Sequence, residues 1–203
     1  MNISEKGLTK ALTKAYTKGY EIAMSGGTSV NVYTEMWALE TETRGLTLKS
    51  SQTLVEHYGG LLTVPAFVRK GQQPQMMMET EVQDRRNELG NASVGDDEVL
   101  HRIPITFKDK WVLFATSQGR VFAYDREILD VLDWATGSCD MRVSACGVGV
   151  FDGIFWRLSV APGMFAAEDK VRLEKIAELY KEQRVVPEEE PENMCLFDDM
   201  DRE

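Results

Sequence analysis

Two stretches of alternating apolar residues, each folded back on itself by a turn, constrain the fold of this chain more than any other feature. Ile103, Ile105 and Phe107 alternate, and Trp111-Val112-Leu113-Phe114-Ala115 reads as a buried strand. Ser117-Gln118-Gly119-Arg120 turns the chain, and Val121, Phe122 and Tyr124 bring it back as a hairpin. Further on, Met141, Val143 and Ala145 alternate and Val148 and Val150 continue the strand. Asp152-Gly153 turns, and 154–160 returns. Between the hairpins, Asp125 is placed to cap a helix over 126–135, with Ile128, Leu129, Val131, Leu132 and Trp134 inward and Gly137 at its end. Runs of strands with helices set apart, and no regular βαβ alternation, predict an α+β fold. The expected form is a mostly antiparallel sheet with helices packed on one face.

The first third of the chain supplies the other elements. Leu8, Ala11, Leu12, Ala15, Tyr16, Tyr20 and Ala23 recur at helical spacing, which predicts a helix over 4–24. Ser4 is its N-cap and Ser25-Gly26-Gly27 its stop. Residues 28–42 read as a strand, and 47–58 as a short helix ended by Gly59-Gly60. Strand material at 61–68 is interrupted by Pro65, which predicts an edge strand or a bend. Residues 71–100 are polar, with a helix expected near 79–89 and a loop over 90–97. The expected organisation is 1–90 and 91–186 as two parts of one continuous domain, followed by a tail over 187–203. A last amphipathic helix over 164–184 turns Phe165, Leu173, Ile176, Ala177 and Tyr180 to one side.

The charge is concentrated at one end. The 203 residues carry a net charge of −10, and 187–203 alone hold eight acids and one Arg. The body before the tail is therefore only −3, and its first 70 residues are slightly basic. A chain imitating DNA with its whole surface would be acidic throughout, so that reading is excluded. Disorder is expected for the acidic tail. No apolar run approaches the ~20 residues of a membrane span, no secretory leader is visible, and the three cysteines are an odd number. A reduced, cytoplasmic protein with no membrane partner is the expectation.

Catalytic and metal-binding patterns are sparse. The two histidines, His57 and His101, have no Cys-x-x-Cys or His-Glu-x-x-His context, so no metal and no cofactor is expected. Cys146-Gly147-Val148-Gly149 reads as a buried strand cysteine beside close backbone packing. A nucleophilic Cys146–His101 pair is the enzymatic alternative. Gly95-Asp96-Asp97-Glu98 would gather carboxylates for Mg²⁺, against the simpler reading of a solvated loop. Asp130 and Asp133 read as a solvated helix face, and Met76-Met77-Met78 as core filling, with a soft, adaptable contact surface as the alternative.

Two features point to binding. Lys6, Lys10, Lys14 and Lys18 stand four residues apart on the first helix. Each step overshoots a full turn by about 40°, so they form a slanting basic stripe flanked by Thr9, Thr13 and Thr17. Such a stripe suits a phosphate backbone or an acidic protein surface. In the tail, Glu188-Glu189-Glu190-Pro191-Glu192 precedes Asn193-Met194-Cys195-Leu196-Phe197, and Asp198-Asp199-Met200-Asp201 follows. Exposed Leu and Phe are wasted in a mere solubility tail. They make sense in a short peptide that docks into an apolar groove with a basic rim, contributed by Met194, Leu196, Phe197, Asp198 and Asp199. Residues 193–197 resemble the sliding-clamp-binding pentapeptide of bacterial replication and repair proteins, Gln-Leu-x-Leu-Phe. Leu196-Phe197 match its end, and Asn and Met replace its first two residues. That resemblance implies a partner in a nucleic-acid-processing complex. A tail folded back on the protein's own lysine stripe is the competing reading. The expected function is a non-enzymatic binding or regulatory protein of a bacterial or phage setting. Its sharpest form is an inhibitor of a nucleic-acid-handling protein or nuclease complex, with direct nucleic-acid contact through the first helix as an option. The alternative is a small hydrolase-type enzyme built on scattered carboxylates or Cys146.

Overall fold

A computed structural model describes residues 2–19, 22–24, 29–59, 66–76 and 98–184. The chain order is β1 (Asn2–Ile3), α1 (Glu5–Lys18), β2 (Ile22–Met24), β3 (Ser29–Tyr33), β4 (Trp37–Glu42), a 3₁₀ turn (Thr43–Gly45) and α2 (Leu48–Tyr58). It continues with β5 (Ala66–Val68), β6 (Gln75–Met76), β7 (Glu98–Phe107), β8 (Trp111–Thr116), β9 (Val121–Asp125) and α3 (Arg126–Leu129). The remainder is β10 (Leu132–Asp133), β11 (Asp140–Val143), β12 (Gly149–Asp152), β13 (Trp156–Val160) and α4 (Ala167–Arg184). Eight strands form one sheet in the order β3-β4-β13-β12-β11-β7-β8-β9, and every strand pair among the described residues is antiparallel. The α+β class and the mostly antiparallel sheet are those expected. The expected helix near 79–89, the loop at 90–97 and the acidic tail lie outside the described residues.

The sheet is strongly curled. Tyr124 on β9 packs edge-on against Phe151 on β12, four strands away, at 6.0 Å between ring centroids. Its hydroxyl donates to the Gly147 carbonyl at 3.0 Å. A side chain on Gly149 would collide with the Tyr124 ring, so the strand approaches closely only because that position lacks a Cβ. The expected close packing of 146–149 is therefore observed at Gly149. The segment after β13 stitches the curl together: Ala161 N donates to Met36 O and Gly163 N to Ala123 O, both at 2.9 Å.

Strand alternation divides the core in two. Val112 and Phe114 face the main core with Leu8 and Leu12 of α1 and Leu54 of α2. Leu113 and Ala115 face a smaller core completed by Leu173, Ile176 and Tyr180 of α4. The expected one-sided helical layer is formed by α1 and α2, and α4 adds a second layer on the other face of β7–β9.

Several expected boundaries are corrected. The first helix ends at Lys18, where Gly19 takes φ 70° as C-cap and returns hydrogen bonds to Ala15 and Tyr16, and β2 follows. The strand expected over 28–42 is a hairpin, because the Thr34 hydroxyl bonds the Met36 and Trp37 amides and the Trp37 carbonyl. The helix expected over 126–135 stops at Leu129, since Leu132 pairs with Ile3 in β10–β1. The strand expected across 141–150 is two strands, with Gly147 at φ 88° in the turn between them. Ala66–Val68 pairs on both sides, so β5 is the centre of a three-stranded sheet and not an edge.

Candidate functional site

Helix α1 presents its lysines where the helical period puts them. Ser4 caps it by accepting from Gly7 N, and its apolar face is buried through Leu8, Ala11, Leu12 and Ala15. Lys10, Lys14 and Lys18 then fall along one edge of that face. There they line a cleft of about 100 Å³ floored by Ala11, Ala15, Trp37 and Ile128. Lys6, one turn earlier, is exposed and outside the cleft lining. The far wall is the β3–β4 turn (Thr34, Met36), and the near end carries Asp125 and Glu127 from the β9–α3 junction. A drug-sized ligand needs about 300–1,000 Å³, so this space takes one apolar side chain with charged flanks.

Glu127 is the residue that sequence reasoning missed. It bridges Lys14 by hydrogen bond and lies 3.5 Å from Lys10. The Lys14 hydrogen bond, then the charges of Lys14 and Lys10, hold its carboxyl below the usual carboxylate range. The carboxylate therefore stays ionised at neutral pH. Whatever stability the exposed pair contributes is present above the carboxyl's unfolded value and is lost as pH falls through the folded one. An acidic ligand must compete with Glu127 for these lysines. Thr13, beside the stripe, turns the other way. Thr13 Oγ1 and His57 Nε2 share a hydrogen bond at 3.3 Å, and Tyr16 stacks on the His57 ring at 4.5 Å. That flank is a joint between α1 and α2. It also gives His57 structural partners.

The other expected groups separate. Cys146 is exposed in the β11–β12 turn, 3.0 Å from Ser144 Oγ, which corrects the buried strand cysteine. Val143 pairs with Glu98 and Arg142 with Val99, so β7 carries His101 away from that turn. The Cys146–His101 pair is not assembled. Glu98 pairs with Arg120 at 2.5 Å, and its companions 95–97 lie outside the described residues. Asp130 caps the end of α3, and Asp133 caps the following turn through Ala135 N, so neither is a helix-face residue. Met76 is exposed on β6 rather than core, and Met77 and Met78 lie outside the described residues. So do Met194, Leu196, Phe197, Asp198 and Asp199. Among the described residues, no group of three metal-ligating side chains occurs, and no helix is long and apolar enough to cross a membrane.

A larger cleft, about 770 Å³, opens between the 3₁₀ turn and the β12–β13 turn. Two of its charged groups, Asp152 and Arg44, are engaged by neighbouring side chains. Both Asp152 oxygens are held by Arg142 and Arg157, and the Arg44 guanidinium lies 4.1 Å over the Phe155 ring. Burial pushes the Cys139 thiol in its wall up to about 11, disfavouring the nucleophilic thiolate. Iodoacetamide at pH 8 is expected to modify exposed Cys146 at least about tenfold faster than Cys139, read by peptide mass spectrometry. Equal rates would show that the Cys139 wall opens. Comparison with models of known protein families, with curated proteins and with solved structures finds no match to the chain.

Proposed function

We propose that the protein is a non-enzymatic binding protein that holds a short acidic and apolar protein segment in the cleft between α1, α3 and the β3–β4 turn. The observation that carries this reading is the cleft's composition: a floor of Ala11, Ala15, Trp37 and Ile128 under a rim of Lys10, Lys14 and Lys18. An apolar anchor with acidic neighbours satisfies both parts, as in other groove-binding peptides. A nucleic-acid backbone is a poorer occupant. It would meet Asp125 and Glu127 as an acidic peptide does, and it would leave the apolar floor unused. A protein of a nucleic-acid-processing complex, inhibited by occupation of such a segment, is the partner class proposed.

Affinity capture with the full chain, at low and moderate salt, tests the reading against the Lys10→Glu/Lys14→Glu variant. A stoichiometric protein retained by the parent and lost by the variant is expected. A partner indifferent to the charge reversal would overturn the site. Salt-dependent retention of duplex or single-stranded oligonucleotide, equally lost on reversal, would replace the peptide occupant with nucleic acid. Removing the internal competitor should act oppositely. Glu127→Gln is expected to tighten binding by about two- to fivefold, the worth of an exposed charge pair, measured by titration against the captured partner. Unchanged or weaker binding would show that Glu127 does not contest the lysines.

A further inference from the structure

Resting on that reading of the cleft, we infer that its resident occupant is the chain's own segment 194–199, so that the acidic tail masks the binding site until a partner displaces it. Chemistry, reach and topology each support this occupant.

The chemistry is complementary at both levels. Met194, Leu196 and Phe197 offer candidates for the single apolar side chain that the cleft admits, with the others left at its rim. Asp198, Asp199 and Asp201 follow it directly, and Glu188, Glu189, Glu190 and Glu192 precede it. Lys10, Lys14 and Lys18 rim the cleft, and Lys6 extends the stripe beyond it. The tail holds seven net negative charges out of the chain's ten.

The reach is sufficient. Helix α4 starts beside Trp111, which Phe165 contacts at 5.0 Å between rings, and Lys108 bonds Asp169 there. Trp111 is the rung opposite Asp125, so this is the cleft's end of the sheet. The helix then runs back until Lys181 covers Gly119 in the β8–β9 turn. At 1.5 Å per residue, Arg184 therefore lies about 20 Å along the strands from Asp125. Passing from the α4 face to the α1 face crosses two layer spacings, about 20 Å, which at right angles to the first displacement makes about 28 Å in a straight line. Residues 185–195 span up to about 36 Å when extended. Among the described residues β9 is the edge of the eight-stranded sheet, so the chain rounds it without crossing another strand. Tethering raises the local concentration of the segment to about the millimolar range, enough to fill a weak site in cis.

The native Cys195 lies inside the anchor and gives a direct test in the full chain. Met36 lines the cleft and is partly exposed. The double variant Met36→Cys/Cys146→Ser, which also removes the exposed turn thiol, is oxidised with oxidised glutathione. Formation of a disulfide between the introduced thiol and Cys195 is followed by peptide mass spectrometry at monomer mass. The companion variant adds Leu196→Ala/Phe197→Ala, which leaves the folded body and the tether length untouched. Anchoring predicts that this companion cross-links about tenfold more slowly, and that Lys10→Glu/Lys14→Glu slows it similarly. In parallel, a fluorescent peptide of residues 190–203 is titrated into the full chain carrying Leu196→Ala/Phe197→Ala. Cross-linking that depends on Leu196 and Phe197 establishes the cis occupant. Cross-linking indifferent to them, with the peptide still bound in trans, overturns the resident tail and leaves the cleft to an outside segment. Indifference together with no peptide binding overturns both.

Discussion

Gly7→Ala should destabilise the protein by about 2–3 kcal/mol, the cost of overpacking a tight contact, although the same change inside an exposed helix stabilises by about 1 kcal/mol. The sign reverses because of what Gly7 touches. The new Cβ would overlap the Asp130 carbonyl oxygen and crowd the amide of Val131. These are backbone atoms, and they cannot swing aside as a side chain does. Ser4 N donates to Val131 O at 2.7 Å in the same place, and Ile3 pairs with Leu132 one residue on. The N-terminus of α1 is thus clamped to the chain just after α3, and Glu127 on α3 is what Lys10 and Lys14 meet. Urea or thermal unfolding would show the loss, with the midpoint about 5–10 °C lower for a domain of this size. Lys6→Ala, one residue earlier and exposed, should stay within about 0.5 kcal/mol of the parent. Equal stability of Gly7→Ala and parent would mean that α1 does not dock against α3 at this distance. The cleft that depends on that docking would go with it.

The same contact explains what the sequence revealed and what it hid. The α1 lysines and their drift are a property of one helix and follow from its period alone. What turns them into a cleft is the approach of Trp37 and Glu127, which depends on how far the sheet curls. No local pattern encodes that. The hairpins around 117–120 and 153 were legible because alternation and turn residues are local. Two of the boundaries that misled were also local in cause. Tyr20 and Ala23 continue the helical period past Gly19, but Gly19 adopts the left-handed conformation and ends the hydrogen-bond ladder first. Thr34 carries no glycine or proline signal, and it turns the chain through its hydroxyl. The short α3 failed for another reason. Val131 and Leu132 are apolar at helical spacing, yet pairing with residues 2–3, some 130 positions away, claims Leu132 for a strand.

The second large effect separates two neighbouring residues of one apolar run. Phe114→Ala should cost about 3–5 kcal/mol, the range for truncating a fully buried aromatic. Its ring is completely buried, 5.5 Å from Phe151, 5.6 Å from Tyr124 and 6.3 Å from Trp134 between centroids. Those three rings come from β12, β9 and the segment after β10, so the cavity would open where the curled sheet closes on itself. Loss there should be global: hydrogen exchange should rise in β8, β9 and β12 together. Leu113→Ala removes an equally buried side chain from the opposite face, where the core is Ile103, Ala115, Ala123 and α4. The cost should be smaller, about 2–3 kcal/mol, because a helix lying over a sheet can settle into the gap. Its hydrogen exchange should rise first in 167–184, with β12 protected as in the parent. If both substitutions instead loosened the same amides, Val112–Ala115 would be feeding a single core. The two-faced packing of β8 would then be wrong.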